Sequence, residues 1–186
     1  MSATSARLTL ALAAAALLAA PAAARAQGTT TTTTSTTSGS SLALGVPAPP
    51  TDAPDFSGTW TLNLKASSFG MMPAPKRAAM SVTHQGNALS YTTTASTAEG
   101  DQQTSAAVTI GGPSFTQAMA GATMASTATW DGRAVLFSGV LRAQGAEVPV
   151  TSRWALSADG RTLTVTRTVT TPAGDMPVTL VYDKKG

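Results

Sequence analysis

From Asp55 onward, apolar residues return at every second position in short runs, and segments rich in Gly, Asn and Asp separate the runs. A period of two is the spacing of a β-strand with one buried face, and no helix of 3.6 residues per turn can present it. In the first run Phe56, Gly58, Trp60, Leu62 and Leu64 fall on one side, with Ser57, Thr59, Thr61, Asn63 and Lys65 on the other. Later runs align His84 with Met80 and Val82, Tyr91 with Leu89, Phe137 with Val135, Trp154 with Val150, and Arg167 with Leu163, Val165 and Val169. The residues between them are mostly Thr, Ser, Ala or charged, which suits a face in water.

Turn signals punctuate these runs: Gln85-Gly86-Asn87, Glu99-Gly100-Asp101, Gly111-Gly112-Pro113, Asp131-Gly132, Gln144-Gly145, Asp159-Gly160 and Pro172-Ala173-Gly174. Asp131-Gly132 reads as a type I′ hairpin turn, in which both central residues adopt positive φ. The spacing predicts an all-β domain, an antiparallel meander of about nine or ten strands. A meander of that size has two exposed edges unless it closes, so an up-and-down barrel is favoured over a sandwich. The segment "GPSFTQAMAG" reads either as a short strand or as a bulged corner.

The opening residues carry Arg7, an apolar run from Leu8 to Ala20, and Ala24-Arg25-Ala26 with small residues at the cleavage positions. This is the pattern of a secretory signal peptide over residues 1–26. The apolar run is short for a bilayer span, which needs about 20 residues, so stable membrane insertion is not expected. Residues 27–54, rich in Thr, Ser and Pro, read as a disordered linker, because such a composition buries too little surface to offset its ordering entropy. Residues 55–186 are the expected folded domain, in the periplasm or outside the cell. There are no cysteines, so stability in an oxidising compartment rests on the core.

Removal of residues 1–26 takes two arginines from the twelve basic residues and none of the nine acidic ones. The remaining Lys and Arg are scattered, which argues against a nucleic-acid partner. His84 is the single histidine and the acids fall in the linker, in turns, at strand ends or on outward positions. That pattern offers no paired acid and base, no nucleophile triad and no metal-ligand cluster, and it calls for no cofactor. Catalysis is therefore not expected.

Gly58-Thr59-Trp60 on the first strand of an all-β meander resembles the Gly-X-Trp signature of the calycins, the lipocalin and fatty-acid-binding-protein superfamily. The longer run "FSGTWTLNLKASSFG", with Pro73 and Pro75 after it and "RWALSADGRTLTVTRTV" and "VYDKK" near the end, is similar to small exported bacterial lipocalin-like proteins without an assigned activity. The resemblance implies a lipocalin-like barrel closed around Trp60, with Gly58 beside it and an Arg from a late strand across the indole; parity selects Arg167. It departs from the fatty-acid-binding pattern after the first strand, where "KASSFGMMPAPKRA" has no room for two lid helices.

Two functions stay open at this stage. Trp60, Tyr91, Phe137, Trp154 and His84 share inward positions with small residues such as Ala128 and Gly139, and could line a cavity for a small apolar ligand. The same small residues equally suit a packed barrel with no ligand, a structural or interaction domain.

Overall fold

The computed structural model describes residues 45–119 and 121–186. The expected signal peptide and the linker up to residue 44 lie outside them. The described residues form ten strands: β1 (Gly58–Leu62), β2 (Arg77–Gln85), β3 (Ala88–Thr97), β4 (Gly100–Thr109), β5 (Phe115–Met119), β6 (Ala122–Asp131), β7 (Ala134–Ala143), β8 (Ala146–Leu156), β9 (Thr162–Thr171) and β10 (Gly174–Lys184). All pair antiparallel in one sheet, in the order β4-β3-β2-β1-β10-β9-β8-β7-β6-β5. The sheet curls into a nearly closed up-and-down barrel. "GPSFTQAMAG" supplies β5, a strand and not a corner.

First and last strands join through Trp60 opposite Lys184 and Leu62 opposite Tyr182. The chain then bulges and keeps following β10: Asn63 N donates to Val181 O at 2.8 Å, and Ser68 and Thr179 exchange two backbone hydrogen bonds at 2.7 and 2.8 Å. No helix stands between β1 and β2 among the described residues. Here the loop lengthens the barrel wall.

The ladder is interrupted between β4 and β5, which are neighbours in sequence but the two ends of the sheet order. Gly112 N donates to Thr109 O at 3.0 Å, a tight turn that does not lead into a β4–β5 hairpin. Ile110 N donates to Asn87 O at 2.8 Å and Gly111 N to Ala128 O at 2.7 Å, so the chain is held across the barrel base. Pro113 supplies no N–H to resume the pairing at once. Gly111 has φ of 77°, and a Cβ there would stand 2.8 Å from Pro47 Cδ.

One expectation is corrected. The Asp131-Gly132 turn has Gly132 and Arg133 as its central pair, since Asp131 is opposite Ala134, and of the two only Gly132 has positive φ, at 59°. That is the II′ pattern, with glycine first. Gln144 and Gly145 are the pair with positive φ at both central positions, 51° and 79°. Two residues upstream of Asp55 touch the barrel: Asn87 Nδ2 donates to Pro47 O at 2.6 Å, and Asp52 pairs with Arg133 at 3.2 Å.

Candidate functional site

The inward faces form three tiers. At the base, where β1 starts and β10 ends, Phe56, Trp60, Ile110, Val135 and Leu163 are withdrawn completely from water. Trp60 Nε1 donates to Phe56 O at 3.0 Å, which satisfies the buried indole and fixes the segment before β1 beneath the barrel. The cation over Trp60 is Lys184, with Nζ 5.2 Å from the ring centroid. Its stem also passes over Gly58, where φ is 139° and a Cβ would lie 2.7 Å from Lys184 Cε. The glycine of the Gly-X-Trp pattern is thus required twice, by its backbone and by the lysine packed on it.

Arg167, expected across Trp60, occupies another tier. It lies on β9, whereas Trp60 on β1 is joined to β10, directly opposite Lys184. Lys184 extends the inward parity of Leu180 and Tyr182 to the strand end, a signal that the sequence carries. Arg167 Nε instead donates to Ser152 Oγ at 3.0 Å.

The middle tier gathers three of the proposed ligand-facing residues. Tyr91 and Trp154 have ring centroids 5.0 Å apart, Phe137 and Trp154 5.1 Å, and Phe137 also meets Phe115 at 6.4 Å. Trp60 and His84 belong to the base and do not join this cluster. Burial raises the Tyr91 phenol above its ordinary range, while the Arg167 charge and a hydrogen bond with Gln117 pull it the other way. Tyr182 is raised by burial and opposed by Arg167 in the same manner. One guanidinium therefore acts on tyrosines of β3 and β10 from β9. Ser152, Ser126 and Gln117 are buried polar partners of this tier, and sequence reading missed Gln117 because its strand was ambiguous.

Small residues here reflect close packing. A Cβ on Gly139 would collide with Ser126 Oγ and the carbonyl oxygen of Ala125, and Ala128 is buried in the core. Neither marks free volume.

Above the aromatic cluster the lining changes. Met119, Met124, Leu141, Val148, Val169 and Met176 continue the inward parity toward the opposite end, and each keeps partial exposure. Phe69, from the loop after β1, packs against the core. A separate depression of about 410 Å³ lies against β2, β3 and β4, lined by hydroxyls that include Ser81, Thr83, Ser90, Thr92 and Ser105. Those side chains have outward parity, so it is distinct from the lumen. Among the described residues no group of three or more His, Asp or Glu side chains could hold a metal ion.

No family model matches the chain, and no curated protein matches it. Solved structures do. A secretory abundant heat soluble protein from Ramazzottius varieornatus superposes with a TM-score of 0.52 at 13% identity, over 69% of this chain and 94% of that one. A zebrafish ileal bile acid-binding protein, in complex with cholic acid, gives a TM-score of 0.49 at 11% identity, over 70% of this chain and 98% of its own. The chain folds as a calycin-like barrel. At such identities the likeness is one of fold, and the chemistry has to be argued from the lumen itself.

Proposed function

We propose that this calycin-like barrel binds a small amphipathic molecule in its open half, with the apolar part against the Met, Leu and Val lining and an anionic group at Arg167. The observation that carries this reading is the arginine itself. It is half-buried at an inward position, and among the described residues no carboxylate lies within ion-pair distance of it. An arginine withdrawn from water normally has a charged partner. The Ser152 contact occupies Nε and leaves the terminal nitrogens available to an oxyanion, which a guanidinium recognises in bidentate fashion. The aromatic cluster of Tyr91, Phe137 and Trp154 forms the floor, and binding without catalysis is the reading.

Titration with dodecanoate and with uncharged dodecanol, followed by tryptophan emission, tests it. Dodecanoate is expected to bind, and Arg167→Met to weaken it by about 10- to 100-fold, the range of a charge-assisted hydrogen bond of roughly 1.5–3 kcal/mol. Dodecanol affinity should be the same in both proteins. If neither amphiphile perturbs the emission, the binding reading fails and a packed structural or interaction domain takes its place. We also propose that the protein is exported with residues 1–26 removed, on the strength of the signal-peptide pattern. Intact-mass analysis of the extracytoplasmic fraction should then find a chain beginning at Gln27.

A further inference from the structure

We propose that His84 is an acid-sensitive latch, which at neutral pH holds the Asp55–Ser57 lead-in, and with it the Phe56 plug, against the base of the barrel. The proposal is independent of any ligand in the lumen.

The imidazole is 5% exposed and stands between two aromatic rings, Phe56 at 5.5 Å and Trp130 at 5.8 Å between centroids. Its Nδ1 accepts from the backbone N–H of Phe56 at 3.5 Å. Accepting there requires a lone pair on Nδ1, so the single proton of the neutral ring sits on Nε2. Nε2 is buried and has no hydrogen-bond partner among the described residues. The same residue grips the lead-in through its backbone: His84 N donates to Ser57 Oγ at 2.9 Å, and Ser57 Oγ donates to His84 O at 3.2 Å. One residue of β2 thus holds Phe56 and Ser57 together.

Adding a proton reverses the ring contact. Nδ1 becomes a donor facing the Phe56 N–H donor, and a positive charge appears between two aromatic rings with its Nε2 still unpartnered. The groups around it do not compensate fully. Asp55 Oδ1, from the lead-in, is 3.8 Å from Nδ1 and is itself well exposed. Lys184 of β10 acts on Asp55, β6 contributes the uncharged Trp130, and the β2–β3 turn contributes the Gly86 carbonyl. Burial, the largest influence, holds the imidazole below its ordinary value near 6.5, while the Gly86 carbonyl and Asp55 pull upward. A base with a depressed folded-state value contributes stability that is complete above its unfolded value and is lost as pH falls from there through the folded one. The latch therefore opens in mild acid, and the segment it frees is the one that closes the base.

Two measurements on the full chain test this. In ¹⁵N-resolved spectra of the wild type at pH 7.5, His84 should be the Nε2–H tautomer and should titrate below 6.5; the Nδ1–H tautomer, or titration at or above 6.5, would overturn the latch. Hydrogen exchange, corrected for intrinsic rates, should show protection of the amides of residues 56–60 falling several-fold between pH 7.5 and 5.0 relative to β8 and β9. In His84→Gln, whose side-chain oxygen can accept from Phe56 N without titrating, that fall should vanish. An equal fall in His84→Gln, or none in the wild type, would sink the proposal.

Discussion

At the base of the barrel Phe56, Trp60, Ile110 and Leu163 are completely buried, whereas toward its opposite end Met124, Leu141, Val169 and Met176 remain partly in water. Both sets are apolar, inward and spaced by two. The difference comes from what crosses the opening. At the base the lead-in to β1 and the β4–β5 connection run beneath the strands, joined by Trp60 to Phe56 O, Ile110 to Asn87 O and Gly111 to Ala128 O. The other end has hairpin turns and the Phe69 loop along its wall. Alternation decides which side of a strand faces in, and the segments between strands decide how deeply that side is buried.

The sharpest way to break this contrast is Trp60→Ala. It should lower stability by about 3–5 kcal/mol, as for other large core aromatics, while Met176→Ala at the open end should cost much less; denaturant midpoints of the two compare the ends directly. Gly58→Ala comes next, at about 1–3 kcal/mol, because φ of 139° is a glycine region and the added methyl meets the Lys184 stem. A smaller effect isolates the cation: Lys184→Met keeps the stem, and in a double-mutant cycle with Trp60→Phe the coupling should be about 0.5–1 kcal/mol, shrinking in high salt. Additive losses would remove the cation–π contact from the description of the base. Met71→Ser should be the smallest of all, within about 0.5 kcal/mol, since that side chain is 89% exposed. A larger loss would mean that the loop contributes to the open end as the lead-in does to the base.

Strand identity and facing were legible because one side of each strand meets water and the other the lumen. Thus Leu163, Val165 and Arg167, all inward by parity, do lie inward, and the alternating threonines of β9 lie outward. Contacts between distant segments were not legible. Nothing local in Ile110-Gly111-Gly112-Pro113 says that Ile110 bonds to Asn87 and Gly111 to Ala128 in place of a β4–β5 hairpin. The Pro-rich stretch before Asp55 has the composition of a tether, yet a few specific contacts by Pro47 and Asp52 hold it to the base. Gly139 illustrates a third kind of gap. Its smallness, which suits a ligand cavity and a packed barrel equally in the sequence, is explained by the approach of Ser126 from the paired strand, and a partner's distance is absent from any one-dimensional pattern.

The pairing of β1 with β10 bears on how the molecule is made. Every other ladder except β1–β10 joins strands adjacent in sequence, so each can form as its hairpin emerges. The seam between first and last strands joins residues such as Asn63 and Asp183, 120 positions apart along the chain. Such a contact bears a large loop-closure entropy and forms slowly. Until β10 is present, β1 offers one bare edge and the indole of Trp60 has no lysine over it. A nascent chain therefore passes through a stage in which the strand that carries the fully buried Trp60 has one edge unpaired, and the rate at which the last eleven-residue strand docks sets how long that exposure to misassociation lasts.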